Sequence, residues 1–327
     1  MKSAVFSAFV ILSFCLVLLG CKDQPAEIPV TVRRLEKELF AAKSPAEVAV
    51  LLQKSPYLRA YFGISKDAPD SLIVGQLYRN ISNPDLKQFN EELQHQFGDL
   101  TSLKTLLQQA FGQIKAAYPD FKTPQIVTAV TGFMGSDLYV SDSVIVIGLD
   151  YFGGPKAGYR PQLHDYQLRR YQQEYIVPAI LFFISQKYNK VPTNDQTFLA
   201  DMIWYGKGFE FIKHVAPETP DSLIIGYSQA QLDDVYASQQ DIWAYFLDRQ
   251  LLYQTRDAEK ERFIGERPAT VEISQYCPGG IGRWVGWRII SRYLQEKPNT
   301  SLVELMANTN VRQLLEDSKY KGQKEEE

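Results

Sequence analysis

The chain has 327 residues, of which 45% are hydrophobic, 13% aromatic and 22% charged, a composition typical of one large globular domain or two ordinary ones. Its formal net charge is −3, and acidic and basic residues are interspersed along the chain. This balance excludes a nucleic-acid partner, and no basic amphipathic helix indicates binding to a membrane surface.

The first residues have the layout of a bacterial lipoprotein signal. A short basic start precedes an apolar run from Ala4 to Leu19, which ends at Gly20-Cys21. The pattern predicts that residues 1–20 are a signal peptide and that Cys21 becomes a lipidated N-terminus, which anchors the chain to a membrane without spanning it. The alternative is a transmembrane anchor with an incidental cysteine, for which the apolar run is short.

Behind the signal we predict a single domain of residues 31–318, with a polar tether of residues 21–30 before it and a charged tail of residues 319–327 after it. With the signal removed and Cys21 lipidated, Cys277 has no internal disulfide partner. No histidine lies within its own stretch, so we interpret Cys277 as a packed residue rather than a nucleophile.

The first third of the chain carries several helix-start signals. Ser44-Pro45-Ala46-Glu47 is a capping box with proline at the first helical position, and Asn83-Pro84 starts a second helix. Apolar residues at helical spacing predict a third helix from about Asp99 to Tyr118. The segment PDSLIVG at Pro69–Gly75 recurs as PDSLIIG at Pro220–Gly226, which we interpret as one turn chemistry used twice.

After Pro119 the pattern changes to β-branched and aromatic runs. Residues 125–133 and 138–152 are predicted to form strands, with a turn at Asp142-Ser143. The last strand ends at Gly148, and a loop with several glycines follows it to Pro155. Asp150 lies in this loop, where a carboxylate that caps its own loop is more common than a catalytic one.

Helices resume in the second half of the chain. We predict one helix from about Leu168 to Tyr188, with a kink at Pro178 in its interior. A second helix opens at a capping box, Thr193-Asn-Asp-Gln196, and similar boxes start helices at Ser228 and Ser301. Together these elements predict an α+β fold that is predominantly helical with a small mixed sheet.

The most apolar helix follows the turn formers Pro278-Gly279-Gly280 and runs to Leu294. Its apolar residues spread over most of the circumference, which indicates that other helices enclose it. Gly282 and Gly286 stack on one face, although each glycine costs a helix roughly 1 kcal/mol relative to alanine. We favour close packing of helices as the reason, and a ligand or peptide against this face as the alternative.

Motifs of known catalytic chemistry do not occur in the sequence. The three histidines form no HExxH, so the paired ligands and base of a zinc peptidase are missing, and we predict no catalytic residue, metal ligand or cofactor. Glu210 and His214 share a helix face, which a surface pair explains. Ser228 lies in a partial nucleophile elbow but already serves as an N-cap. The alternative is an unusual hydrolase that uses Asp150, Glu174 or Glu210.

Five runs of residues, taken in order, carry a family resemblance. They are the lipobox ending at Cys21, GLDYFGG at Gly148–Gly154, MIWYGKGFEF at Met202–Phe211, DIWAYFLDRQLLY at Asp241–Tyr253, and PGGIGRWVGWRIISRYL at Pro278–Leu294 followed by LEDSKYK at Leu315–Lys321. With these runs the chain resembles the gliding-motility lipoprotein family (GldB-type) of Bacteroidota.

The resemblance implies a body similar to a zincin-type peptidase that has lost its zinc ligands. The helix at Tyr175–Ala179 then stands where a zinc-binding helix would be, and the helix at Tyr205-Gly206-Lys207 where a glutamate ligand would be supplied. Without imidazoles to bind a metal or a base to activate its water, the resemblance implies a catalytically inactive protein.

The implied function is that of an envelope lipoprotein of the gliding motility or protein secretion machinery with a non-catalytic, protein-binding or scaffolding role. Its partners would be proteins of that machinery, and its expected location is the outer membrane, facing the periplasm. A chaperone-like lipoprotein that binds cargo is a further alternative. The candidate binding groove comprises Gly148, Asp150, Tyr205, Gly206, Lys207, Gly279, Gly282, Gly286 and Trp287.

Overall fold

The computed structural model of the protein describes residues 28–65, 68–192 and 194–323. The predicted signal peptide, the lipidation site Cys21 and most of the tether lie outside these residues. Among the helices that the structure describes, none combines the length and the apolar character needed to cross a bilayer.

Within these ranges the chain forms sixteen α-helices, four β-strands and two short 3-10 helices. The strands are β1 (Val32–Arg34), β2 (Gln125–Ala129), β3 (Leu138–Val140) and β4 (Val144–Gly148). The helices are α1 (Leu35–Ala41), α2 (Pro45–Gln53), α3 (Tyr57–Tyr61), α4 (Asp70–Ser82), α5 (Pro84–Phe97), α6 (Thr101–Ala117), α7 (Asp165–Leu168), α8 (Ile176–Tyr188), α9 (Phe198–Val215), α10 (Asp221–Ile225), α11 (Gln229–Ala237), α12 (Gln239–Asp248), α13 (Asp257–Ile264), α14 (Ile281–Glu296), α15 (Leu302–Ala307) and α16 (Val311–Ser318). The prediction of a mainly helical α+β protein with a small mixed sheet is confirmed.

The sheet has the strand order β1-β2-β4-β3, so β3 is an edge strand. β2 lies parallel to β1 and to β4, whereas β3 runs antiparallel to β4. The Gly148 N–H donates to the Asp137 carbonyl at 2.9 Å, and the Ser141 N–H donates to the Val144 carbonyl at 3.0 Å. Because bonded and unbonded residues alternate along an antiparallel strand, the peptide groups of Leu138 and Val140 face away from β4.

Alternate residues of the two central strands face two separate hydrophobic clusters. Ile126 and Ile147 belong to the larger cluster, which most of the helices form. Val127 and Val146 belong to the smaller cluster, which contains the apolar residues of α1, α2, α3 and α4. The chain is therefore built as three layers, with the sheet between a thin helical layer and a large helical body.

Helices α9 and α14 form the centre of the larger cluster, and their backbones touch. A Cβ atom added to Gly286 would lie 1.8 Å from the Met202 carbonyl oxygen, and one added to Gly206 would lie 2.3 Å from the Gly286 carbonyl oxygen. On Gly282 it would lie 2.5 Å from the Phe198 ring. The interpretation of the paired glycines as a close helix–helix contact is confirmed.

Most of the predicted helix starts are confirmed. The side chains of Ser44, Ser228 and Ser301 each accept a hydrogen bond from the backbone N–H three residues further on. The twice-used PDSL segment was misread as a turn, since it starts helices α4 and α10. In both copies the aspartate is the first helical residue and pairs with a basic side chain, Arg59 for one and Lys213 for the other.

The predicted start of the helix at Leu168 is wrong, because α8 begins only at Ile176. The short helix α7 ends at Leu168, and a 3-10 turn at Gln173–Tyr175 leads into α8. Pro178 therefore lies in the first turn of α8 and not in its interior. Backbone N–H groups of a first turn have no intrahelical partner, so proline is tolerated there and produces no kink.

Helix α9 begins at Phe198, later than its predicted capping box. Thr193, the first residue of that box, lies outside the described residues. Thr197 caps the helix instead, since its side chain accepts a hydrogen bond from the Ala200 N–H at 3.3 Å. A threonine with an alanine three residues later is a weaker signal than the Thr193 box, so the sequence pattern favoured the wrong start.

The packed body extends past residue 318, where we expected a charged tail to begin. Tyr320 is buried, and its ring lies edge to face with Trp243 at a centroid distance of 5.1 Å. A Cβ atom on Gly322 would lie 2.7 Å from the Trp243 Cβ atom. These contacts hold the C-terminal segment against α12.

Candidate functional site

A groove of about 320 Å³ lies between the start of β3 and helices α8, α9 and α10. Its walls are mainly aromatic and aliphatic side chains, with charged groups at one end. We call it the aromatic groove, and it is lined by Asp137, Leu138, Phe152, Arg170, Tyr171, Tyr175, Pro178, Ala179, Phe182, Phe183, Tyr205, Phe209, Leu223, Ile224, Ile225, Glu266 and Arg283.

Stacked rings on α8 and α9 form one wall of the groove. The Phe182 ring stacks on the Tyr205 ring at 5.8 Å between centroids, and it lies 5.5 Å from the Phe209 ring. A Cβ atom on Gly208 would lie 2.6 Å from the Phe182 ring, so this glycine is needed for the close approach of α8. Gly206 and Gly208 thus let α9 contact α14 on one side and α8 on the other.

The groove is open because small or exposed residues of α8 face it. Ala179 contributes only a methyl group, and Pro178 has no backbone N–H that would need a partner. Phe183 is 46% exposed, which is unusual for a large aromatic side chain in a well-packed body. An apolar side chain of a ligand would therefore meet a hydrophobic wall with few polar groups to desolvate.

The groove continues along the free edge of β3. A smaller cavity of about 160 Å³ lies beyond Phe183 and is lined by Val140 of β3 and Lys187 of α8 among others. Leu138 lines the first cavity and Val140 lines the second, and the outward N–H of Leu138 already donates to Asp137 Oδ1 at 2.7 Å. The site therefore combines an apolar groove with backbone hydrogen-bonding groups of an edge strand, which is the combination that binds extended peptides by adding a strand.

Charged groups lie at the other end of the groove. The Arg283 guanidinium lies over the Tyr205 ring at 4.6 Å from its centroid, and Nε of Arg283 donates to the Ile264 carbonyl at 2.6 Å. Arg170 forms an ion pair with Glu266. Burial and the nearby positive charge of Arg283 lower the pKa of Arg170. This end of the groove therefore contains two guanidinium groups and the Glu266 carboxylate, whereas the middle is apolar.

The sequence profile of one family, described as gliding motility protein GldB, matches residues 21–322. The match covers more than nine-tenths of the chain and begins at the cysteine predicted to carry the lipid. The chain belongs to the GldB family. No curated protein and no solved structure matches it.

Membership in the GldB family connects the protein with gliding motility. The family is one of lipoproteins, so this member is a lipid-anchored protein of the cell envelope. The family assignment made from the five sequence runs is confirmed. Among the described residues of this GldB-family protein, no three His, Cys, Asp or Glu side chains come together as a metal site.

The structure separates the predicted groove residues of the GldB-family protein into several environments. Tyr205 lines the aromatic groove, and Gly279 lies in a pocket that adjoins it. Gly206, Gly282 and Gly286 lie in the contact between helices and are not reachable from the groove. The remaining predicted residues, Gly148, Asp150, Lys207 and Trp287, do not line the aromatic groove.

Lys207 and Trp287 are buried and hold neighbouring elements together. The Lys207 ammonium group donates to three carbonyl oxygens, those of Lys190 at 2.6 Å, Asn308 at 2.9 Å and Met306 at 3.1 Å. Trp287 Nε1 donates to Glu210 Oε1 at 2.9 Å. Lys207 therefore connects α9 to the end of α15 and to the segment after α8, and Trp287 connects α14 to α9.

Glu210 is buried, so its interpretation as half of a surface pair with His214 is wrong. Besides the bond from Trp287, its environment includes the hydroxyl of Ser291 and the charge of Arg288, and burial raises its pKa. Glu174, another carboxylate considered for hydrolysis, is exposed in the 3-10 turn before α8. Glu174 and Glu210 therefore lie in different elements, the 3-10 turn and α9.

Asp150 is fully buried and anchors the loop that follows β2. Its Oδ2 atom accepts hydrogen bonds from the Thr131 N–H at 3.0 Å and from the Phe133 N–H at 2.8 Å. It therefore caps a neighbouring loop rather than its own. Burial raises the pKa of Asp150, against the opposing effect of these backbone donors.

We expect Asp150→Asn to keep the fold and to leave gliding unchanged, because the amide oxygen still accepts from both N–H groups. Asp150→Ala removes both acceptors and should lower the free energy of unfolding by about 1–3 kcal/mol. Chemical denaturation and cell movement over a surface measure the two effects. Loss of gliding in a stably folded Asp150→Asn protein would instead favour the hydrolase alternative.

The pH dependence gives a second readout at Asp150. A carboxyl group whose pKa is higher in the folded chain contributes stability that is complete below its ordinary pKa and is lost as pH rises through the raised value. Asp150→Asn should remove this part of the pH dependence, so the difference in free energy of unfolding between wild type and variant should change across that range and be constant outside it.

Cys277 is buried and its thiol is unreactive. Its Sγ atom lies 3.9 Å from the Pro278 carbonyl oxygen, and burial raises the pKa of the thiol to about 12. A thiol with so little thiolate at neutral pH is a poor nucleophile, which agrees with its interpretation as a packed residue.

The groove residues that the sequence reasoning missed come mainly from α8 and α10. In the sequence, Phe182, Phe183 and Ile224 have the apolar spacing of core residues. Apolar periodicity cannot separate a buried face from the wall of a groove. No signal in the sequence separates them from core residues, since consecutive residues such as Ile289 and Ile290 are both buried in the same cluster.

Proposed function

We propose that this GldB-family protein is a non-catalytic binding component of the gliding or secretion machinery, and that it holds an extended segment of a partner protein in the aromatic groove. The observation that carries the proposal is the outer edge of β3 beside that groove, where the Leu138 carbonyl and the N–H and carbonyl of Val140 face away from β4. The segment adds to β3 as a further strand and places alternate side chains against Phe182, Phe183 and Tyr205.

The proposal takes from the family resemblance a body similar to a zincin-type peptidase, and the missing HExxH motif then favours binding over catalysis. Such a body would retain a peptide-sized groove and an edge strand after the loss of its catalytic groups. Its lipid at Cys21 would hold the groove near a membrane, and we propose the periplasmic face of the outer membrane. A chaperone-like role for secreted cargo differs from this proposal only in the identity of the segment.

Filling the groove should abolish function without unfolding the protein. We expect Ala179→Trp to stop gliding, because the indole occupies the space that the partner's side chains need. The rate of cell movement over a surface measures the effect. Leu72→Trp is the matched control, since Leu72 is 68% exposed on α4, and gliding should be unchanged.

Both tryptophan variants should accumulate to the wild-type level and unfold at a similar temperature. Unchanged gliding with Ala179→Trp, at normal protein levels, would contradict a function for the groove.

Site-specific cross-linking tests whether a segment occupies the groove in cells. A photoreactive phenylalanine analogue at Phe183 should form an adduct with one partner, and Ala179→Trp in the same chain should prevent that adduct. The analogue at Tyr253, which is 54% exposed elsewhere, is the control for non-specific capture. Adducts at both positions, or an adduct that survives Ala179→Trp, would count against the groove.

The hydrolase alternative is tested on purified full-length protein in detergent. Stoichiometric bound zinc, or cleavage of peptides by clean material, would favour an enzyme. Binding of peptides without their cleavage would favour the proposed role.

A further inference from the structure

A second, smaller pocket of about 100 Å³ adjoins the charged end of the aromatic groove. The two cavities share Arg170, Ile225, Glu266 and Arg283 as walls. We call it the arginine pocket because four arginine side chains line it, namely Arg169, Arg170, Arg267 and Arg283.

The carboxylates that interact with these arginines are fewer than the arginines, even when Asp137, whose charge acts on Arg170, is included. Glu266 lines the pocket and pairs with Arg170, and Glu272 pairs with Arg267 at 3.0 Å. In the part of the chain that the structure describes, neither Arg169 nor Arg283 forms an ion pair with a carboxylate. Arg169 donates to the side-chain oxygen of Gln231, and Arg283 donates to the Ile264 carbonyl.

The surrounding structure places the charges of Arg170 and Arg283 near each other. The aliphatic part of Arg170 packs on Gly226, where a Cβ atom would lie 2.7 Å from Arg170 Cδ. Arg283 is fixed over the Tyr205 ring. The sixteen-residue helix α14 also begins at this pocket with no side-chain cap, so its N-terminus adds partial positive charge. An anion between these groups would relieve their mutual repulsion.

The net charge of the whole chain is −3, so a concentrated positive pocket is not a general property of its surface. Arginine is suited to this position because its planar group forms two parallel hydrogen bonds with one carboxylate. Since the pocket shares four wall residues with the aromatic groove, one end of a groove-bound segment would lie next to it.

We infer that the arginine pocket binds an acidic side chain of the partner segment, so that the protein selects extended apolar segments with aspartate or glutamate at one end. The inference rests on the proposed function of the aromatic groove and specifies the chemistry of its occupant.

Two degenerate pools of octapeptides, acetylated and amidated at their ends, test the inference. In both pools the first six positions alternate between threonine and a mixture of valine, isoleucine, leucine, phenylalanine and tyrosine. One pool ends in Glu-Asp and the other in Gln-Asn. Each pool is passed over immobilised full-length protein in detergent, and mass spectrometry measures the bound fraction.

We expect about tenfold greater retention of the acidic pool, the preference given by one charge-assisted pair of hydrogen bonds. Arg169→Gln should reduce the preference severalfold, and Arg169→Gln with Arg283→Gln should remove it. Arg249→Gln is the matched control, because Arg249 also lies over a tyrosine ring, that of Tyr245 at 5.7 Å, but outside the arginine pocket. Thermal unfolding verifies that each variant is folded, and the Arg169 variant alone leaves the Arg283 contacts intact.

The outcomes separate this inference from the proposed function. Equal retention of the two pools, abolished in both cases by Ala179→Trp, would overturn the acidic selection and leave the groove as a binding site. Retention of neither pool would overturn both. An acidic preference that persists in the double arginine variant would also overturn the assignment to this pocket.

Discussion

Gly286→Ala is expected to lower the free energy of unfolding by at least about 4 kcal/mol, and Gly286→Leu to prevent folding. The added Cβ atom would lie 1.8 Å from the Met202 carbonyl oxygen, and the obstacle is backbone rather than a flexible side chain. Helices α9 and α14 must separate to accommodate it, which disturbs the centre of the larger hydrophobic cluster. Denaturant unfolding of the full-length protein in detergent measures the change.

Gly75→Ala is the control for this substitution. Gly75 also lies within a helix, but its nearest neighbour would be the flexible end of the Arg79 side chain at 3.6 Å. We expect this variant to be as stable as the wild type or up to about 1 kcal/mol more stable, because alanine favours the helix. Similar behaviour of the two variants would show that the α9–α14 contact tolerates a methyl group, which would reopen the ligand interpretation of this face.

Lys207→Met is expected to lower the free energy of unfolding at pH 7 by roughly 2–5 kcal/mol. Methionine fills a similar volume but donates no hydrogen bond to the three carbonyl oxygens, of which that of Met306 is buried and those of Lys190 and Asn308 are partly buried. The Met306 carbonyl oxygen still accepts a hydrogen bond from the Lys190 N–H at 2.9 Å. The carbonyl oxygens of Lys190 and Asn308 lose their ammonium donor. Lys104→Met, at an exposed position on α6, should change stability by less than about 0.5 kcal/mol.

The same pair of proteins should differ in pH dependence. Burial lowers the pKa of Lys207 from its ordinary value of 10.5 to about 8. Between these values the folded protein binds fewer protons at this group than the unfolded chain, so its contribution to stability increases with pH. The stability difference between wild type and Lys207→Met should therefore widen from pH 8 to pH 10, by on the order of 2 kcal/mol. A constant difference would contradict the lowered pKa.

Local sequence signals predicted the elements of this fold well. Serine capping boxes and the proline after Asn83 fixed helix starts, because these signals act within one turn of chain. Two of these predictions were wrong, for different reasons. Pro178 was interpreted as an interior kink because no capping residue marks the start of α8 at Ile176. The PDSL segments resemble turns in the sequence, and the basic partners of their aspartates are brought to them by the fold.

The functional site was harder to predict because it depends on long-range packing. The conspicuous glycines of α14 lie in the helix contact, and only Tyr205 of the predicted set lines the aromatic groove. Arg170 and Arg283 are more than a hundred positions apart in the sequence, and nothing local indicates that they share a pocket. The family resemblance predicted a groove, but the side chains that form it follow from how α8 lies against α9 and β3.

The order of the strands determines how a pulling force would pass through the protein. The chain enters the sheet at β1, and the groove lies beside β3 at the opposite edge, about three strand spacings or 14 Å away. If the groove binds a segment as proposed, tension between the membrane and that segment would run across the strands and load the ladder between β3 and β4. That ladder is only three residues long, so the helices covering it, and not the sheet alone, must resist the pull.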